Sequence, residues 1–171
     1  MKAIYLIPLA LLLALLVVIG WAVVNSTQTA TPQVALSAPT VVRAPDLFDA
    51  QILVSDTTNL GAFELDLNYD HTLAQVISVT FTTFLGQPTE CNPSRARCVV
   101  ARGPTEQPNG VTTVGADTNG AGSGARGNGV LATLRFKPTG KPGTLMLFIS
   151  SAQLTDTTGN STTPSVQGAT I

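Results

Sequence analysis

Few residues in this 171-residue chain could do chemistry, and most of them stand together. The stretch "FELDLNYDH" sets Glu64, Asp66 and Asp70 at alternate positions and ends in His71, the only histidine. Paired carboxylates can cleave glycosidic bonds, and a histidine can serve as general base. On an extended strand, however, Glu64 and Asp66 share one side about 7 Å apart by strand rise, as alternate residues do in any sheet. His71 has no nucleophile near it in sequence, so the stretch predicts no catalytic residue. "DLNYD", Asp66 to Asp70, also copies the opening D-x-N-x-D of a calcium loop. That loop needs Gly at its sixth position and Glu at its twelfth, where this chain has His71 and Ile77, so no metal ligand is assigned.

"GSGARG", Gly122 to Gly127, fits the G-x-G-x-x-G pattern of a dinucleotide loop. The chemistry also needs a helix opening at the last glycine and an acidic residue about 20 positions on. Here the downstream "NGVLATLRFKP" alternates like a strand, so the glycines are read as a loop, with no nucleotide and no other cofactor expected. Cys91 and Cys98 bracket "NPSRAR"; two thiols and one histidine fall short of a zinc set, and in an oxidising compartment the pair is expected to form a disulfide. Beyond Lys2 the chain has eight basic residues against ten acidic, without a basic cluster, which excludes a nucleic-acid footprint.

The elements that must hold these residues are strands. At the N-terminus, Ile4 to Val24 is 21 residues without a charge, about 31 Å as a helix and enough to cross a membrane. It reads as a signal anchor or a cleavable signal peptide over residues 1–24. Either one sends the rest of the chain out of the cytoplasm, where it is membrane-anchored at the cell surface through residues 4–24 or secreted. Residues 25–33, "NSTQTATPQ", read as a Ser/Thr/Pro-rich stalk, and the folded domain is expected over 34–171. There, short apolar runs alternate with turn residues and no helical period is sustained. "LGAFELDLNYD" places Phe63, Leu65, Leu67 and Tyr69 on a core face and Ala62, Glu64, Asp66 and Asn68 on a wet one. "FDAQILVSD" reads as a separate preceding strand. "GVLATLRFKP" is expected to turn Val130, Ala132, Leu134 and Phe136 inward, "TLMLFIS" to be buried on both faces, and "SVQGATI" to form one closing strand.

In order, these elements resemble a cohesin module, the receptor half of the cohesin–dockerin pairing. The resemblance lies in "VALSA" followed by "FDAQILVSDTTNLGAFELDLNYDHTLAQVISVTF", in "GNGVLATLRFKPTGKPGT" and in "LTDTTGNSTTPSVQGATI". It implies an all-β fold, a two-sheet antiparallel β-sandwich of jelly-roll type with about nine strands, preceded here by one N-terminal hydrophobic helix. It further implies a non-enzymatic module that recruits a dockerin-bearing protein, with Ala62, Glu64 and Asp66 on the contact side. The chain departs from the family where His71 follows Tyr-Asp in place of Pro, and in the "ECNPSRARC" loop and the glycine-rich insert. Polysaccharide binding is the rival reading, since related sandwiches bind glycans; a structural surface domain without a ligand is a third. Against a sugar-stacking platform, Trp21 lies in the apolar segment and Tyr69 on the core side.

Overall fold

A computed structural model of the chain describes residues 31–87, 97–107 and 110–171. The hydrophobic helix expected over 4–24 and Cys91 therefore lie outside the described residues, and the expected stalk is described only at Thr31, Pro32 and Gln33. The described residues contain strands and turns and no helix. The strands are β1 (Gln33–Ser37), β2 (Phe48–Asn68), β3 (Ala74–Phe81), β4 (Cys98–Glu106), β5 (Val111–Asn119), β6 (Ala125–Pro138), β7 (Met146–Asp156), β8 (Ser161–Thr162), β9 (Ser165–Gln167) and β10 (Ala169–Thr170).

Strand β2 organises the molecule by belonging to two sheets. Its first half, Phe48 to Val54, pairs antiparallel with β1 and β6, and β3 and β9 extend that sheet to β9-β1-β2-β6-β3. Its second half, Leu60 to Asn68, pairs with β5 and β7, giving β4-β5-β2-β7, with β8 and β10 on the far edge of β7. All pairings are antiparallel except β1 with β9. The expected break between "FDAQILVSD" and "LGAFELDLNYD" is thus a corner within one strand. Register shifts lie on both sides of Thr57, and Asp56 takes a left-handed φ of 59°. The corner is tied to β6 by Asp56 N donating to Asn128 Oδ1 (2.9 Å) and Thr57 Oγ1 donating to Gly127 O (2.9 Å). Gly127, at φ 87°, holds a conformation that a side chain disfavours.

The inward faces of the two sheets meet in one apolar cluster. Ile52, Val54, Leu134 and Phe136 come from one sheet, Phe63, Leu65, Leu67, Val114 and Leu147 from the other. The alternation read in "LGAFELDLNYD" holds, with Phe63, Leu65, Leu67 and Tyr69 all buried. Phe136 is its aromatic centre, stacked on Phe48 at 5.0 Å between ring centroids and met edge-on by Tyr69 at 5.3 Å.

Three readings of parity need correction. In β6 a bulge opposite Ile52 and Leu53 turns Leu131 and Ala132 both inward, leaving Val130 half-exposed. In β7 the apolar run is buried on one face only: Leu147 and Ile149 point into the core, Met146 and Phe148 into solvent. The closing "SVQGATI" divides at Gly168 into β9, which joins β1, and β10, which joins β7. A Cβ on Gly168 would meet the Leu147 carbonyl oxygen at 2.5 Å, so the crossing between sheets requires glycine there.

Candidate functional site

The outward face of β4-β5-β2-β7 gathers the residues singled out in the sequence. Ala62, Glu64 and Asp66 follow one another along β2, each in a row across the four strands. The rows are Val100–Asp117–Ala62–Thr155, Arg102–Gly115–Glu64–Gln153 and Thr105–Thr113–Asp66–Ser151. The middle row has a dip, because Gly115 carries no side chain between Arg102 and Glu64. A Cβ there would lie 2.7 Å from the Phe63 carbonyl oxygen, so the tight strand approach excludes one.

The polar groups of this face are unequally satisfied. Arg102 Nε donates to Asp117 Oδ1, which neutralises the β4-β5 side. Thr113 Oγ1 donates to Asp66 Oδ1 (2.7 Å), while Gln107 Nε2 donates to Thr113 Oγ1 (3.2 Å). Beside them Asn68 Nδ2 donates to Ser150 Oγ, and Ser150 Oγ donates to the Asp66 carbonyl oxygen (3.3 Å). Glu64 is exposed and enters no ion pair among the described residues. A shallow groove of about 420 Å³ opens here, lined by Glu64, Asp66, Ser150, Gln153, Thr163 and Val166 among others.

Sequence reasoning missed the apolar part of this face. Met146 is 62% exposed, and Phe148, 50% exposed, sits opposite Asn68 on the neighbouring strand. Phe148 is the only exposed aromatic ring among the described residues. The signal was available: in a sheet with one wet face, an unbroken apolar run must turn every second residue outward.

The remaining candidates are placed differently. His71 stacks on Tyr69 at 4.1 Å, donates from Nε2 to the Gly110 carbonyl oxygen (2.6 Å), and has Nδ1 3.7 Å from Glu106 Oε1. That is a brace between the β2-β3 turn and the β5 entrance. Asp70 closes the same turn, accepting from Thr72 N (2.8 Å); hydrogen bonds from Thr72 hold its carboxyl below the usual range. Asp66 and Asn68 lie on the sheet face while Asp70 serves that turn, so "DLNYD" does not converge. Among the described residues no three His, Cys, Asp or Glu side chains are grouped to hold a metal. The "GSGARG" glycines form the β5-β6 connection and the start of β6, where Arg97 donates to the Thr118, Gly120 and Gly122 carbonyl oxygens (2.9, 3.0 and 3.2 Å). Gly124 is forced by contact, since a Cβ would meet the Leu60 carbonyl oxygen at 2.4 Å. Cys98 is buried at the start of β4.

The family described as Cohesin domain matches residues 32–171. Among curated proteins none matches. Solved structures with this fold include the non-cellulosomal cohesin of the hyperthermophilic archaeon Archaeoglobus fulgidus, at 15% identity and TM-score 0.61, covering 82% of this chain and 89% of that one. The sixth cohesin of Acetivibrio cellulolyticus scaffoldin B, solved in complex with a Cel5 dockerin mutant, aligns at 14% identity and TM-score 0.60, covering 82% and 97%. The Coh-OlpC–Doc435 complex, a type I cohesin–dockerin complex from Clostridium thermocellum, aligns at 10% identity and TM-score 0.62, covering 85% and 95%.

Proposed function

The chain belongs to the cohesin family, and from that premise we propose that it is a non-enzymatic receptor for a dockerin-type module, engaged by the outward face of β4-β5-β2-β7. The observation that carries this reading is the exposed Glu64 carboxylate, which pairs with no cation among the described residues, set beside Asp66 on a sheet face that also exposes Phe148 and Met146. A face with open charge and open apolar area lowers its free energy when a partner covers both. Solved relatives in complexes with dockerins support the choice of partner.

In this proposal the domain works outside the cytoplasm, tethered through residues 4–24 or released by cleavage, and recruits its partner to the cell surface. The uncharged Ile4–Val24 segment supports that placement. A Cys91–Cys98 disulfide would clamp the loop entering β4, closing a short ring worth roughly 2.5 kcal/mol in the chain-entropy account. Burial of Cys98 and the absence of free cysteine among the described residues support the pairing.

The test is capture by the full chain, held in detergent, from solubilised proteins of the native cell. The expected catch is a protein with paired D-x-N-x-D-G calcium repeats, lost with Glu64→Lys/Asp66→Lys. Retention of polysaccharide alone, or equal capture by the double variant, would refute the assignment.

A further inference from the structure

We infer that the partner's helix seats along β7, with an apolar residue over Met146 and Phe148 and a basic residue about three helical turns away at Glu64. This rests on the dockerin reading and specifies which half of the face does the binding and what chemistry the partner must present.

The two halves of the face differ in what they leave open. On the β4-β5 side, Arg102 already pairs with Asp117, Gly115 offers no side chain, and the one exposed large apolar residue is Val100, at 38%. Along β7 the outward residues are Met146, Phe148, Ser150, Ser151 and Gln153, because the bulge against Asp66 and Leu67 puts both serines on the wet side. Val166, 47% exposed, adds an apolar wall to the groove beside Glu64 and Asp66. The groove is lined by two carboxylates and by no lysine or arginine.

The spacing sets the ligand. The rows of Glu64 and Phe148 are four residues apart along β2, since the bulge takes up one residue of β7, and the midpoint of Met146 and Phe148 lies one residue further, which puts the apolar anchor roughly 16 Å from Glu64 by strand rise. On a helix that distance is about 11 residues, which returns to the same side after about three turns. The complementary surface is one amphipathic helix with an apolar anchor and a Lys or Arg about 11 positions from it. Asn68 and Ser150 satisfy one another between the two points, so the middle of the strip asks little of the partner.

The experiment measures affinity of the full chain for each recombinant dockerin module of the source organism, recognised by its paired D-x-N-x-D-G loops. Phe148→Asp and Phe148→Ser are compared with Val100→Asp, each checked by thermal unfolding. The expected result is a loss of at least about 30-fold for Phe148→Asp, a smaller loss for Phe148→Ser, and under about 3-fold for Val100→Asp. Reversing the partner's basic residue to Glu should be rescued by Glu64→Lys. Binding that falls with Val100→Asp and ignores Phe148→Asp overturns the β7 seating and leaves the dockerin reading standing. If no module binds the wild-type chain, the dockerin reading itself falls and this inference with it.

Discussion

Strand β2 displays carboxylates to solvent from both of its sheets, and the two sheets treat them differently. In the half shared with β1 and β6, Asp49 is gripped by the Arg135 fork, with Nε at 2.8 Å from Oδ1 and Nη2 at 2.9 Å from Oδ2. The hydrogen bond from Arg135 holds the Asp49 carboxyl below its ordinary range. Among the described residues of the half shared with β5 and β7, the Asp66 carboxylate receives only a threonine hydroxyl and Glu64 enters no ion pair. One strand, with one chemistry of side chain, thus meets an arginine on one face and stays unmatched by any cation among the described residues on the other. The unmatched face also exposes Met146 and Phe148. An exposed ion pair adds little to stability, so the difference matters chiefly for what each face can attract.

Reversing charge on each face in turn should separate the two faces most strongly. Glu64→Lys/Asp66→Lys should weaken partner binding by at least about 100-fold, whereas Asp49→Lys should change it by less than about 2-fold, as read by titration calorimetry. Next in size are changes that strike the core shared by both sheets. Leu134→Ala, fully buried, should cost about 3 kcal/mol in denaturant unfolding and lower both faces' integrity together. Reducing the proposed Cys91–Cys98 pair should lower stability by roughly 2.5 kcal/mol; unchanged melting on adding reductant would count against the pairing.

Smaller effects sharpen the picture further. Thr112 Oγ1, on the inward side of β5, is buried without a hydrogen-bond partner among the described residues. Thr112→Val keeps the shape and removes the unsatisfied hydroxyl, so unfolding should show a gain of about 1 kcal/mol without loss of binding. Acid should act on stability through three hydrogen-bonded carboxylates. Hydrogen bonds from Thr158 and Asn160 hold the Asp156 carboxyl well below the usual range, and Asp49 and Asp70 are lowered as well. Depressed folded-state values stabilise the fold above about pH 4, the unfolded carboxyl range, and that contribution is lost as pH falls through the folded values. Melting temperature should therefore hold from neutral pH to about pH 5 and fall below about pH 4, less steeply in Asp156→Ala.

Much of the fold was legible because β2's second half alternates cleanly, so Ala62, Glu64 and Asp66 could be placed on a wet face before their neighbours were known. The family pattern supplied the sandwich. Long-range pairing hid the rest. "FDAQILVSD" and "LGAFELDLNYD" read as separate strands, and only the bonds of Asp56 and Thr57 to Asn128 and Gly127, some seventy residues away, show that the chain passes straight through a corner. Val130 was misplaced because a bulge shifts parity by one residue and leaves no mark in composition. Phe148 escaped notice because an apolar run looks buried until the sheet is known to have one open side. Arg102 and Asp117, fifteen residues apart, cannot be recognised as a pair until β4 and β5 are in register.

Partner binding should cover the β5-β2-β7 face and leave the β2-β6-β3 face open. Hydroxyl-radical footprinting of the full chain with and without its captured dockerin-type partner tests it directly, because oxidisable side chains are exposed on both faces: Met146 and Phe148 on one, Ile77 of β3 on the other. Met146 and Phe148 should be protected several-fold in the complex while Ile77 reacts as before. Protection of Ile77 with Met146 and Phe148 unchanged would contradict it.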